Sequence, residues 1–268
     1  MPRLKKRIYD FDESINDFMI YCTNKDLTKK TMKSYEGTLK LFAKYLADEV
    51  NIFTPKDVTT KHIKDYLEFT KTKGKYSYVA DVNSLKCNNP SARGDFGKQV
   101  SMYTVNNYLR NIKVYFTWLY DSEVIKKNPT VQIRPYKHSR KPKSEIKDVD
   151  FNKLIKSLDL TSFAEYRDYV ILQLLMDTGM RIGETLNLKM EDVIIDKKSI
   201  FIPPEIAKGR KDRYVFISTR GSNFNVMNFE KNLKKYCIRA RIAESITCHQ
   251  IRNNIARRFL LSGGDILY

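Results

Sequence analysis

Long apolar runs are missing. No stretch of the 268 residues approaches the roughly 18 apolar positions that cross a bilayer, and the opening M-P-R-L-K-K-R holds no apolar signal core. The expectation is a cytoplasmic protein that is not exported. Paired cysteines are missing too: Cys22, Cys87, Cys237 and Cys248 are scattered with no C-x-x-C, which argues for reduced thiols and against a zinc site or a disulfide framework. Acidic residues are scarce. With 31 of them against 49 basic residues the net charge is +18, an excess that favours a polyanionic partner, nucleic acid above all. A basic membrane-surface protein would need a lipid anchor or a basic amphipathic helix with a strong apolar face, and neither is found. What is present is a folded composition, 42% hydrophobic and 12% aromatic, at a length that holds roughly two domains with their own cores.

The most informative stretch is Leu174 to Leu188, L-L-M-D-T-G-M-R-I-G-E-T-L-N-L, with one arginine between two apolar runs. Tyr169, Leu172, Gln173 and Met176 fall at helical spacing in an almost wholly apolar segment, so a buried helix is expected. Gly179 ends it, being able to take positive φ just past the last turn. A second short helix begins near Ile182 and carries Leu186 and Leu188. Arg181 is thereby expected at a tight helix–helix corner close to the interior, where it is costly unless an anion meets it. Glu184 is one candidate anion and an external one is the other. The local pattern does not choose between them.

Residues 1–133 read as a helical domain. Phe11, Ile15, Phe18 and Met19 mark a first amphipathic helix. Tyr35, Leu39, Phe42 and Leu46 mark a second, longer one capped by Thr28. A third follows Pro55 with Ile63, Tyr66 and Leu67 inward, and a fourth runs from about Ser101 with Val105, Leu109, Ile112, Phe116 and Leu119 buried. Trp118 belongs to this packing rather than to a base-stacking platform. Lys29, Lys30 and Lys33 crowd the first turn of the second helix against its dipole, which makes sense where phosphates pass close by. Between Lys71 and Gln99 periodicity fails, giving a long basic loop. Residues 134–148 form an extended basic linker with no apolar stripe, in which Arg134, Lys137, Arg140, Lys141 and Lys143 can track a nucleic-acid backbone.

A second domain spans 149–268. Phe151, Leu154, Ile155 and Leu158 open it. After the Arg181 corner the period changes: Val193-Ile194-Ile195 and Ile200-Phe201-Ile202 flank D-K-K-S, and Ile206-Ala207-Lys208 and Tyr214-Val215-Phe216-Ile217 flank G-R-K-D-R, two hairpins of a small antiparallel sheet. Lys208 sits at the mouth of the second, and Lys211 and Arg213 in its turn are further candidates for backbone contact. Helices resume near Met227 with Leu233, Tyr236 and Cys237 inward. A last long helix starts at about Cys248, where His249 and Arg252 point together from the first turn.

Each of these residues alone is a weak signal. Together, T-G-M-R-I-G-E before a sheet, K-G-R-K-D-R in its last hairpin and H-Q-I-R opening a helix form a specific set, and the chain resembles the tyrosine recombinases, or phage integrase family, over nearly its whole length. The resemblance implies a mainly α fold with a small antiparallel β-sheet: an N-terminal helical, SAM-like core-binding domain and a C-terminal α+β catalytic domain. It implies that Arg181 and Arg252 hold the non-bridging oxygens of a DNA phosphodiester, that Glu184 supports the corner, that Lys208 protonates the leaving 5′ oxygen and that His249 assists proton transfer. The implied reaction is site-specific recombination or integration through a 3′-phosphotyrosyl intermediate that conserves the bond energy, so no cofactor and no metal is called for. The implied partner is a double-stranded DNA recombination site, with a tetramer assembled on it.

Two features depart from the family. Asn253 stands where many members carry a second histidine. The family's L-G-H-like motif and its nucleophilic tyrosine would fall past residue 268, and Tyr268 follows Arg252 at about half the usual separation, so Tyr268 is not expected to be the nucleophile. The catalytic domain is thus expected to be incomplete at its C-terminus and unable to cleave alone. A non-catalytic accessory or inhibitory protein that occupies recombination sites is the alternative. A third reading is a basic RNA- or DNA-binding protein whose arginine and histidine are structural.

Overall fold

The structure is a computed structural model that describes residues 10–80, 89–137, 144–194, 199–201 and 225–261. The chain divides into two compact units, Met1–Arg140 and Lys141–Tyr268. No described helix is long and apolar enough to cross a membrane.

In the first unit, α1 (Phe11–Asn24), α2 (Lys29–Tyr45), α3 (Thr60–Lys73) and α4 (Met102–Asp121) enclose one core. Each begins where a side-chain oxygen satisfies an orphan backbone N–H. Asp10 caps α1, Thr28 caps α2 and Ser101 caps α4. Thr59 caps α3 reciprocally with His62, whose Nδ1 accepts from the Thr59 N–H. The anticipated stripes converge: Phe11, Ile15, Phe18, Leu39, Phe42, Leu46, Ile63, Tyr66, Leu67, Val105, Leu109, Ile112, Phe116 and Leu119 are all buried. Phe18 is the hub of an aromatic group, with ring centroids 5.4 Å from Tyr115 and 5.3 Å from Trp118, so Trp118 is a packing residue. The buried Asn111 amide donates to Ser34 O, Ser34 Oγ and Thr38 Oγ1, fixing α4 against α2.

Beyond α3 the chain turns at Gly74, where φ is +81° and a Cβ would lie 2.4 Å from the Gly97 carbonyl oxygen. Only glycine fits there. The described ends of the following loop are clipped together, Lys75 N–H donating to Lys98 O and Gly97 N–H to Lys75 O.

The described residues at the two ends of the expected linker are anchored by single side chains. Ile133 is buried in the first core, and the Asn106 amide both donates to Tyr136 O and accepts from Tyr136 N–H at 2.8 Å. Ile146 is buried in the second core. Single apolar residues at the two ends are too far apart to form a stripe, so periodicity could not detect them. Arg140, Lys141 and Lys143 lie outside the described residues.

In the second unit, α5 (Asp148–Lys156), α6 (Phe163–Thr178), α8 (Val226–Arg239) and α9 (Cys248–Leu261) share a core of Phe151, Leu154, Ile171, Leu172, Leu175, Phe229, Leu233, Cys237 and Ile251, and the single turn α7 (Ile182–Thr185) leads away from α6. Of the two anticipated hairpins, the first is described at its ends: β1 (Val193–Ile194) pairs antiparallel with β2 (Ser199–Ile200) in the register Val193↔Ile200 and Ile194↔Ser199. The second hairpin lies outside the described residues.

A polar hub that the apolar pattern conceals ties α6 to α8. The Asp168 carboxylate is fully buried and accepts from Arg167 Nε at 3.0 Å, Arg167 Nη2 at 2.8 Å, Asn232 Nδ2 at 2.9 Å and Tyr236 Oη at 2.8 Å. A buried carboxylate persists only with this degree of satisfaction. Burial, and next the Asp168 charge, push the Tyr236 hydroxyl well above its ordinary value, so it stays a donor. Asp168→Asn removes the charge that faces the buried Arg167 guanidinium and is expected to lower unfolding free energy by about 3–5 kcal/mol. Denaturant unfolding followed by circular dichroism checks this, and an unchanged midpoint would show the hub to be dispensable.

Candidate phosphate-binding site

The site is built on two helix starts and the corner between α6 and α7. Gly179 ends α6 with φ +64°, its N–H donating to Leu175 O, as the sequence requires. The chain then passes through Met180, which is buried, and Arg181 before α7 begins. Glu184, in the first turn of α7, folds back so that its Oε2 accepts from the Arg181 backbone N–H at 2.9 Å while its Oε1 accepts from Arg181 Nη1 at 2.6 Å. This is the carboxylate half of a capping box, and it also suits the positive end of the helix dipole.

On the other wall, α9 starts with a T-x-x-Q capping box. Gln250 N–H donates to Thr247 Oγ1 at 3.3 Å and Thr247 N–H donates to Gln250 Oε1 at 3.0 Å. That fixes the helical phase at which His249 and Arg252 leave the first turn. Arg252 Nη1 lies 3.9 Å from Glu184 Oε2. One pocket of about 380 Å³ is accordingly lined by Met180, Arg181, Ile182, Gly183, Glu184, Glu230, Cys248, His249 and Arg252.

The burial pattern corrects the sequence expectation. Arg181 does not lie in the interior: its side chain is 57% exposed, whereas that of Glu184 is 7% exposed and that of Arg252 is 35% exposed. The carboxylate turns inward because it caps the helix start, and the longer guanidinium reaches outward over it. Burial by itself would raise the Glu184 carboxyl, but the Arg181 backbone N–H, the Arg181 guanidinium and the Arg252 charge outweigh it and hold it below the ordinary carboxylate value. A depressed folded-state pKa means that this stabilisation is fully present above the ordinary value and is lost as pH falls through the folded one. A guanidinium carries five N–H donors, so each arginine keeps donors for a ligand after meeting Glu184.

Of the residues singled out from the sequence, the structure brings Arg181, Glu184, His249 and Arg252 into this one pocket. Lys208, Lys211, Arg213 and Tyr268 lie outside the described residues. Lys29, Lys30 and Lys33 are exposed on the first turn of α2, and Arg134 and Lys137 are exposed beyond α4. Sequence reasoning missed Glu230, on α8. Its neighbour Phe229 and then Leu233 form the buried stripe, and nothing in that spacing marks the intervening glutamate as a pocket residue.

Comparison with known proteins bears on the same segment. Residues 145–218, which include Arg181 and Glu184, match the phage integrase family. Over 287 residues the chain is 23% identical to the tyrosine recombinase XerD of Listeria innocua, covering 95% of this chain and 87% of that one. Among solved structures it shares the fold of the Tn1549 transposon integrase in complex with circular intermediate DNA, with a TM-score of 0.67 and 15% identity over 96% of this chain and 88% of that one. A lambda integrase tetramer bound to a Holliday junction gives a TM-score of 0.63 and 14% identity, over 96% and 74% of the two chains. The family match across the Arg181 corner, the similarity to a recombinase along almost the full length and the shared fold agree: the chain is similar to the tyrosine recombinases, or phage integrase family.

Proposed function

We propose that the chain acts in site-specific DNA recombination, binding a duplex recombination site and holding one phosphodiester for strand exchange. The observation that carries this reading is the convergence of Arg181, His249 and Arg252 on one pocket around the buried Glu184 carboxylate. A phosphodiester seated there meets guanidinium donors from two walls. Attack by a tyrosine hydroxyl adds charge to the non-bridging oxygens, and donors already fixed by Glu184 stabilise that charge without reorganising. The bond to the 5′ oxygen breaks as the bond from phosphorus to the tyrosine oxygen forms. His249 and Lys208 are the groups assigned to proton transfer, Lys208 to the leaving oxygen. Attack by a 5′ hydroxyl of another strand reverses the step and rejoins the backbone. No residue is assigned as the nucleophile.

The basic surfaces serve duplex binding. Lys29, Lys30 and Lys33 on the first unit, and Arg134 and Lys137 at the start of the linker, contact the backbone in this reading, with Arg140, Lys141, Lys143, Lys211 and Arg213 as further candidates. By analogy with the lambda integrase neighbour on its junction, the working assembly is a tetramer on DNA. The second reading, an accessory protein that occupies recombination sites without chemistry, shares the surfaces and differs only in whether the pocket activates phosphate.

Phosphate activation is measurable without a tyrosine. A duplex ending in a thymidine 3′-(p-nitrophenyl phosphate), supplied with peroxide as a small nucleophile, is expected to release nitrophenolate in the presence of the chain. Arg181→Ala or Arg252→Ala should reduce that rate about 10²–10³-fold while duplex affinity falls far less. Release that is equal in the arginine variants would contradict the mechanism, and release that is absent from the unaltered chain would favour the accessory reading. Duplex affinity should also fall steeply with salt, log K against log salt having a slope set by the number of phosphates neutralised. A flat salt dependence would argue against backbone tracking.

A further inference from the structure

Glu230 is an anomaly in a pocket assigned to an anion. It occupies an exposed position on α8 beside the buried Phe229, and it lines the same cavity as Arg181, His249 and Arg252. Glu184, the other carboxylate, is engaged by both arginines. Glu230 makes no ion pair among the described residues. In a chain of net charge +18, a phosphate pocket thus carries two guanidinium groups against two carboxylates among its described residues, Lys208 lying outside them.

Glu230 also acts on the pocket floor. The Cys248 thiol, buried at the first turn of α9, is pushed up to about 12, by burial first and then by the charge of Glu230. The field of this carboxylate therefore reaches the helix start from which His249 and Arg252 project.

We propose that Glu230 is a specificity residue of the phosphate pocket, its carboxylate selecting the singly charged phosphodiester inside a DNA strand over the doubly charged phosphomonoester at a strand end. The proposal rests on the phosphate-pocket reading above. Attraction and repulsion both scale with ligand charge. A strongly cationic pocket would favour a terminal phosphate, which carries about −1.5 to −2 at neutral pH, over a diester of charge −1. Setting a second carboxylate against the two arginines weakens that preference. Diester recognition then falls to the directional N–H donors, and the protein is kept from being sequestered on broken DNA ends.

The test compares inorganic phosphate with dimethyl phosphate as ligands of the full chain, titrated near pH 8 at constant ionic strength and read from the arginine Nε–H signals of Arg181 and Arg252. The unaltered chain is expected to bind the two within about twofold of each other. Glu230→Gln should tighten inorganic phosphate by about three- to tenfold and dimethyl phosphate by clearly less, and Glu230→Asp should keep the original preference. Because Glu230 is exposed, neither variant is expected to unfold, and unchanged spectra elsewhere verify that. Equal tightening of both ligands, or of neither, would overturn the assignment. If neither ligand moves either arginine signal in any variant, the phosphate-pocket reading itself fails and this proposal goes with it.

Discussion

The second unit is arranged around a buried carboxylate between two arginines. Glu184 caps the start of α7 through the Arg181 backbone, pairs with the Arg181 guanidinium at 2.6 Å and lies 3.9 Å from that of Arg252. Desolvating an acid is unfavourable unless cations and donors compensate it, and here the compensating groups are the ones that a phosphate also needs. Glu184 holds both arginines near one point and uses only part of their hydrogen-bonding capacity. Both side chains line the same pocket.

Much of the unit can be understood as support for that arrangement. Gly179 lets α6 stop abruptly enough to place Arg181 at a corner, and the Thr247–Gln250 capping box sets the phase of α9. The Asp168 hub joins α6, which leads to the Arg181 corner, to α8, which carries Glu230, so the helices that bear the walls do not shift independently. The same positions could be held by apolar packing with greater stability. A hydrogen-bonded hub fixes orientation more narrowly, which is what a site for one tetrahedral anion demands.

The first unit was legible in the sequence almost residue by residue, because its four helices are amphipathic and two of them open at the anticipated Thr28 and Ser101, whereas the caps Asp10 and Thr59 had not been singled out. In the second unit the α6 helix, the Gly179 stop and the shared direction of His249 and Arg252 were legible, but of the anticipated stripe Tyr169, Leu172, Gln173 and Met176 only Leu172 is buried, the inward face being Ile171, Leu172 and Leu175. The burial of the Arg181–Glu184 pair was not legible. Spacing places both residues at a corner but does not say which turns inward, and the capping bond from the Arg181 N–H decides it in favour of the glutamate. Asp168 was hidden within an apolar helix, where one acid reads as an interruption, and Glu230 was hidden because pocket membership depends on packing between helices distant in sequence. The linker anchors Tyr136 and Ile146 escaped notice since single apolar residues carry no periodic signal.

In this mechanism Arg181 and Arg252 act on one phosphate as a unit organised by Glu184. A double-mutant cycle on phosphate activation addresses it directly. The rate of nitrophenolate release is measured for the unaltered chain, for Arg181→Ala, for Arg252→Ala and for the double variant. Strong non-additivity is expected, the double variant being little slower than either single one, because each substitution already disables the shared contact. Losses that multiply in full would show two independent arginines and no shared phosphate contact.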